Sequence, residues 1–514
     1  MSPLQQANTA EHEMLSDLPW LSPLGALLIG AVGGVLIALL VRRDRQWIAG
    51  LWVAGCHLAA AGLAAGVWAI GGTRDTMSGS YLVDGLNLAV TAILGVSGAA
   101  AVALLRPAVR DSDREGELYG ILAATTLAGV VLSGAGDISL VALALSLLGI
   151  GPFVMTAYDR ASRRAGEAAI KYYIYATVAG AVMVYGLTWW YGLSGTTSLT
   201  GIGQALTHAP SAAVIGATAL VVVGFGYKAA AVPFHFWTPD VYDGAPIPVA
   251  AYISVLPKMA GIAGLARVLT LALPHDLIAW STAIGVIAAI TMTFGVLAMI
   301  PQQNAVRLLA YSSISQTGFM LIALAALPHS AHATRALVYY FIAYAAGNLA
   351  AFAVILAVQR ETGSAELNAL SGLGRRHPWW TAALLLGLLS LFGLPPLAGF
   401  VAKLTVFAAA IDAHEAWLAV VGIAATVVSL YPYLRMIGPA VLGAAPGRAG
   451  SRSPGTTPVL AWALGAAAAA TVALGIAAQP LLAVAKRSTV MYAGKAVRSP
   501  QAELTADANT RQAQ

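Results

Sequence analysis

Lysine is used here as in few ordinary chains. Only six of the 28 basic residues are lysines, and four of them, Lys171, Lys228, Lys258 and Lys403, fall inside long apolar runs. The other two, Lys486 and Lys495, lie close to the C-terminal end. Arginine serves the polar connections instead. An ammonium at the centre of a bilayer costs at least ~2.5–3.5 kcal/mol on insertion scales, so one that persists there serves a purpose. Arginine stays protonated, whereas a desolvated lysine can gain and lose a proton near neutral pH as its surroundings change. Several such groups in one chain point to hydrogen-ion relay. Lys171 stands just inside its run, where reaching for the headgroups is a second explanation.

Two of these lysines stand beside breaks. Lys228 lies in GFGYKAAAVPFHFW, with Pro233 five residues later, and Lys403 lies in LFGLPPLAGFVAKLTVF, just after Pro395, Pro396 and Gly399. Proline removes a backbone donor and frees carbonyls, and inside a membrane these are tolerated where they line a polar cavity. Paired interruptions in two parts of a chain mark the pathway of a repeat-built transporter. His235 follows Pro233; it suits proton exchange near neutral pH, and equally a packed histidine with one backbone partner. Tyr311, Ser312, Ser313, Ser315, Gln316 and Thr317 form a polar stripe, for which interhelical hydrogen bonding is the simplest account and a water path the other. Asp84 and Glu117 sit near helix ends, where a carboxylate needs no further role. His57 reads as a buried histidine satisfied by its neighbours. There is no phosphate loop, zinc spacing or Ser–His–Asp arrangement, and the single cysteine, Cys56, excludes a cysteine-held cluster and an intrachain disulfide. No cofactor is expected to be bound by this chain.

The elements that must position these residues follow from composition. Of 514 residues, 59% are apolar and only 10% charged, with a mean hydropathy of +0.76. A soluble domain carries about 25% charged residues. The net charge of +6 is dispersed rather than gathered in one long run, which argues against a nucleic-acid partner. The apolar runs, from 21–41 to 457–485, number on the order of fourteen, each near the roughly 20 residues that one spanning helix needs. They are twice the length of barrel strands and apolar throughout, so the expected fold is an all-α polytopic membrane protein. The expected organisation is a polar N-terminal segment at 1–20 and a transmembrane bundle at 21–440. A flexible linker at 441–458, a last spanning helix at 459–486 and a disordered polar tail at 487–514 complete it. Arginines crowd the loops after odd-numbered spans: Arg42, Arg43, Arg45, Arg106, Arg110, Arg114, Arg160, Arg163, Arg164, Arg360, Arg375, Arg376, Arg448 and Arg452. By the positive-inside rule those loops are cytoplasmic and both termini face outward; the basic tail runs against this, and tails follow the rule weakly.

At these residues the sequence resembles the antiporter-like membrane subunits of proton-translocating NADH–quinone oxidoreductase, respiratory complex I, and within them the subunit N (subunit 2) group. The resemblance rests on EAAIKYYIYATVAGAVMVYGLTWWYGLSGTTSL, GYKAAAVPFHFWTPDVYDGAPIPVAAYISVLPKMAG, RLLAYSSISQTGFMLIAL, LSGLGRRHPWWTAALLLGLLSLFGLPPLAGFVAKLTVFAAAI and VVSLYPYLRMI. It covers about residues 80–440. It implies about fourteen spanning helices with broken helices 7 and 12 and inverted repeats, in the inner (plasma) membrane of a cell. It further implies a subunit of a translocase whose other membrane and peripheral subunits handle NADH, flavin, iron–sulfur clusters and quinone. Residue by residue, Lys228 matches the span-7 lysine of the family's proton channel, Lys258 that of span 8 and Lys403 that of span 12. Lys171 matches the lysine opening span 6, and His235 the histidine after the span-7 break. One departure stands out. The family usually has a glutamate in span 5 as partner to the span-7 lysine, and alignment of SLLGIGPFVMTAY places Ser146 there. A serine can hydrogen-bond but carries no charge. The alternatives are an antiporter-like subunit of a cation/proton antiporter or membrane-bound hydrogenase, and a structural paralogue that no longer pumps.

Overall fold

The computed structural model describes residues 3–70, 73–110, 114–273, 279–444, 458–485, 491–492 and 495–496. Nearly all of them are helical. Helices α1 (Pro3–Leu40), α2 (Trp47–Ala69), α3 (Gly85–Val109), α4 (Glu115–Gly134), α5 (Ile138–Thr156) and α6 (Arg163–Ser194) come first. There follow α7 (Leu199–Leu206), α8 (Ser211–Ala229), α9 (Trp237–Gly244), α10 (Ile247–Ala272), α11 (Ala279–Met299), α12 (Ala305–Ala326) and α13 (Ala333–Thr362). The chain ends with α14 (Leu373–Arg376), α15 (Pro378–Phe392), α16 (Ala398–Asp412), α17 (Ala416–Leu442), α18 (Pro458–Ile476) and α19 (Ala478–Ala485).

Among the described residues, twelve helices are long and apolar enough to cross a membrane. The two remaining apolar runs are also helical: 379–411 is divided between α15 and α16, and 457–485 between α18 and α19. Every run seen in the sequence thus becomes helix, because only a helix satisfies the backbone within one segment in lipid. Side-chain caps set several starts: Asp84, Asp137, Ser162, Ser198 and Asn304 each accept a backbone N–H of the first turn. Helix α1 runs unbroken from Pro3 into the first apolar run. The expected linker and tail lie mostly outside the described residues, apart from the end of α17 and a short hairpin pairing Met491–Tyr492 with Lys495–Ala496.

Helix α10 is buried on every side, and α12 and α13 almost so, whereas α6 is mostly uncovered. A helix apolar all round belongs in the centre of a bundle. Yet α10 also carries Lys258 and Arg267, both buried. Arg267 grips Asp84 with two parallel hydrogen bonds, Nη1 to Oδ2 at 2.5 Å and Nη2 to Oδ1 at 2.7 Å, and its Nε donates to the Ser133 carbonyl at 3.0 Å. Both side chains are fully buried. Asp84 therefore does more than start α3: it is the counter-ion that lets α10 carry a guanidinium through the core.

Candidate functional site

Two spans are interrupted, and each break leaves carbonyls for side chains to use. After α8, Ala230 takes a left-handed conformation (φ 61°) and the Val232–Pro233 peptide is cis before α9 begins. The Ala229 carbonyl accepts a hydrogen bond from Thr317 Oγ1 of α12 at 2.7 Å, and the Tyr227 carbonyl accepts one from Trp237 Nε1 at 2.9 Å. After α15, Gly393 turns the chain at φ 96°, outside the range a side-chain-bearing residue takes comfortably, and Pro395–Pro396 is cis. Here the Leu391 carbonyl accepts from Gln316 Nε2 of α12 at 2.9 Å. Helix α16 then starts against α15 so closely that a Cβ at Gly399 would stand 1.7 Å from the Ser390 carbonyl oxygen.

The lysines are placed around these breaks. Lys228, in the last turn of α8, is buried; its Nζ donates to the Leu148 carbonyl at 3.3 Å and to Tyr172 Oη at 3.2 Å. Pro152 has no N–H to offer Leu148 four residues back, so the α5 carbonyl that meets the ammonium is one that proline has freed. The rings of Tyr172 and Tyr227 face Nζ at 5.4 and 5.5 Å, within cation–π range. The Lys228 stem lies on Gly261 of α10, where a Cβ would come within 2.8 Å of its Cγ. That glycine follows Lys258 by three residues, which brings the two lysines to one stretch of α10.

Lys258 Nζ donates to the Ser313 carbonyl at 2.7 Å and also contacts the Ser313 hydroxyl. That hydroxyl shares hydrogen bonds with Tyr344 Oη at 2.9 Å and Tyr242 Oη at 3.3 Å, and Tyr344 donates to the Ser254 carbonyl. Also on α12, Ser312 bonds Tyr433 at 2.7 Å, and Tyr340 donates to Gln316 Oε1 at 2.5 Å. Lys403 Nζ donates to the freed Phe392 carbonyl at 2.7 Å and to Thr426 Oγ1 at 3.2 Å, with the Phe319 ring of α12 at 4.4 Å. The polar stripe of α12 thus touches Lys258, both breaks and the surroundings of Lys403. A cavity of about 10 Å³, roughly the space of one water molecule, lies between Gln316, Tyr344, Ser390 and Gly399 on this line.

The remaining expected residues sit elsewhere. Lys171 is 39% exposed and pairs with Asp240 at 2.7 Å and Glu167 at 2.8 Å, while Arg307 bridges Asp240 and Asp243 at 3.3 and 3.6 Å. Burial pushes the Asp240 carboxyl up, but the Lys171 and Arg307 cations outweigh it and hold the group below its usual range. His235 is buried in the first break between the rings of Phe236 and Phe294, at 4.6 and 4.4 Å, with no hydrogen-bond partner for its Nδ1 among the described residues. Ser146 is exposed and bonds back to the Ala142 carbonyl at 2.7 Å. The α5 position that faces Lys228 is Gly149, whose Cβ would stand 3.7 Å from Nζ. Among the described residues no carboxylate pairs with Lys228, Lys258 or Lys403. Arg267 escaped the sequence reading, although a basic residue in an apolar run was the signal that exposed the lysines.

Comparison with known proteins agrees with this layout. The family model described as "NADH:quinone oxidoreductase/Mrp antiporter, TM" matches residues 135–429, which hold α5 through the first half of α17. A NADH-quinone oxidoreductase subunit N from Moorella thermoacetica is 38% identical over 379 residues, covering 74% of this chain and 79% of the relative. One from Streptomyces griseus is 36% identical over 464 residues, covering 90% and 96%. Among solved structures, a chain of respiratory complex I from Thermus thermophilus aligns with a TM-score of 0.77 at 30% identity over 90% of this chain and all of that one. A chain of the Mrp complex from Dietzia, at 21% identity and a TM-score of 0.81 over 92% of this chain and 97% of the other, shares the fold. The chain belongs to the NADH:quinone oxidoreductase/Mrp antiporter family of membrane subunits, in its subunit N group.

Proposed function

We propose that the chain is a membrane-arm subunit of a proton-pumping NADH:quinone oxidoreductase, relaying protons through Lys228, Lys258 and Lys403 while quinone is reduced elsewhere in the complex. The observation that carries this reading is the meeting of three buried ammonium groups with carbonyls and hydroxyls around one polar helix, α12, and two broken spans. Such groups reorganise without breaking a charge pair, which suits transfer through intermittent water contacts. The water-sized cavity beside Gln316 supports a hydrated step between the Lys258 and Lys403 regions. His235, in the first break, is placed as a side branch, and Lys171 as an outer charge that anchors α6 to α9. NADH, flavin, iron–sulfur clusters and quinone belong to other subunits. The arginine-rich loops are assigned to the cytoplasm and both termini to the outside of the plasma membrane.

Lys228→Ala tests the reading. In inverted vesicles, proton uptake coupled to quinone reduction is expected to fall at least about tenfold, with the complex still assembled and oxidising its donor. Pumping that matches the parent, in an assembled complex, would mean that the ammonium has a structural role only.

A further inference from the structure

Lys228 has no carboxylate beside it among the described residues. Ser146 is exposed and bonded to its own helix. Gly149, the α5 residue that faces Nζ, has no side chain, and a Cβ there would meet no heavy atom within 4 Å except Nζ itself. A buried ammonium without a counter-ion is costly unless other polar groups solvate it. One side chain does so directly: Tyr172 of α6, whose Oη accepts a hydrogen bond from Nζ at 3.2 Å.

We propose that Tyr172 takes the place of the missing carboxylate, its hydroxyl holding the Lys228 ammonium in the bundle and yielding it during transfer. The inference rests on the relay reading above. A hydroxyl is neutral, so it grips an ammonium less tightly than a carboxylate does and lets it go more readily. Its placement is over-determined. Tyr172 is fully buried, and Lys171, the residue before it, pairs with Asp240 of α9 at 2.7 Å. The Tyr172 ring packs 4.7 Å from the ring of Trp237, the first residue of α9. Trp237 Nε1 donates to the Tyr227 carbonyl, and Tyr227 Oη donates to the Tyr172 carbonyl at 3.0 Å. Helix α9 follows the first break, so the break sets how closely Tyr172 approaches the lysine that precedes it.

The test uses the assembled complex in inverted vesicles. Tyr172→Phe keeps the ring and removes the hydroxyl; it is expected to lower coupled proton uptake about tenfold while donor oxidation continues. Two further variants separate holding from packing. Gly149→Ser added to Tyr172→Phe supplies a hydroxyl from α5 and is expected to bring uptake back to within about threefold of the parent. In a Gly149→Asp background, where the ammonium is held too tightly, Tyr172→Phe is expected to raise uptake at least about fivefold instead of lowering it. Uptake equal to the parent in Tyr172→Phe overturns the proposal. So does a loss that Gly149→Ser leaves unrelieved, or one that recurs in the Gly149→Asp background, since a packing role lowers uptake in every background. Where one double variant does not assemble, the other decides. Unchanged pumping in Lys228→Ala would remove the relay and this role together, whereas unchanged pumping in Tyr172→Phe alone would remove only this role.

Discussion

Lys228, Lys258 and Lys403 each meet carbonyl and hydroxyl oxygens, which are dipoles rather than charges. A carboxylate placed against Lys228 changes that balance. Two unit charges 4 Å apart attract by about 4 kcal/mol at the effective dielectric of a protein, enough to slow release of a proton from the pair about a thousandfold. Gly149→Asp is therefore expected to slow coupled proton uptake by at least about tenfold, measured in inverted vesicles. Ser146→Glu, on the exposed side of α5, is expected to leave it within about twofold. A large effect of Ser146→Glu with none from Gly149→Asp would reverse the facing assigned to α5. At this scale the lysines were legible in the sequence because a charge in an apolar run is conspicuous by its cost. Which residue of α5 they face was not, since helical phase is fixed by packing against α4, α6 and α10. Arg267 carries the same conspicuous charge, but its partner Asp84 lies 183 residues away, a separation that no local pattern reveals.

Proline is the residue through which elements become chemical here. In α5 it frees the Leu148 carbonyl for Lys228; in the loops after α8 and α15 it keeps the next turn from closing on the last. Pro152→Ala restores an N–H to α5 that competes for Leu148. A hydrogen bond is worth about 1 kcal/mol net, so the variant is expected to lower coupled translocation about fivefold while thermal stability of the complex holds or rises. Translocation equal to the parent would show that the freed carbonyl does not hold the ammonium in place. The breaks themselves were readable from Pro233 and from Pro395, Pro396 and Gly399, and each was found where it was expected. The destinations of the freed carbonyls were not readable, because Thr317 and Gln316 come from a helix whose stripe looked sufficient as packing between helices.

Over the whole bundle, stability and pathway share α10. Its outer turns are held by the Arg267–Asp84 pair, fully buried on both sides. Breaking such a pair by removing one partner leaves a charge in the core at a cost of about 3–5 kcal/mol, whereas removing both can be neutral. Asp84→Ala is expected to abolish assembly, read by blue native electrophoresis. Asp84→Asn with Arg267→Met is expected to restore it, with Asn keeping the cap on α3. Failure of the double variant as complete as that of the single one would show that the charge itself is required. That the chain is a series of long apolar helices was evident from the sequence, since lipid leaves the backbone one solution, although twelve of them among the described residues, against the fourteen expected, are long and apolar enough to cross; the depth of α10 in the bundle was not evident, because an apolar helix at the centre and one at the rim read alike.

Helix α12 reaches Ser313 for Lys258, Thr317 for the first break and Gln316 for the second, all within five consecutive residues. A rigid rod that holds three latches cannot release them one at a time. Sliding it by about 1 Å would stretch bonds of 2.7–2.9 Å to lengths at which they no longer count. A push at either end of α12 would thus reset Lys258 and both interruptions in one movement, making this short stretch a mechanical common denominator for events on opposite sides of the subunit.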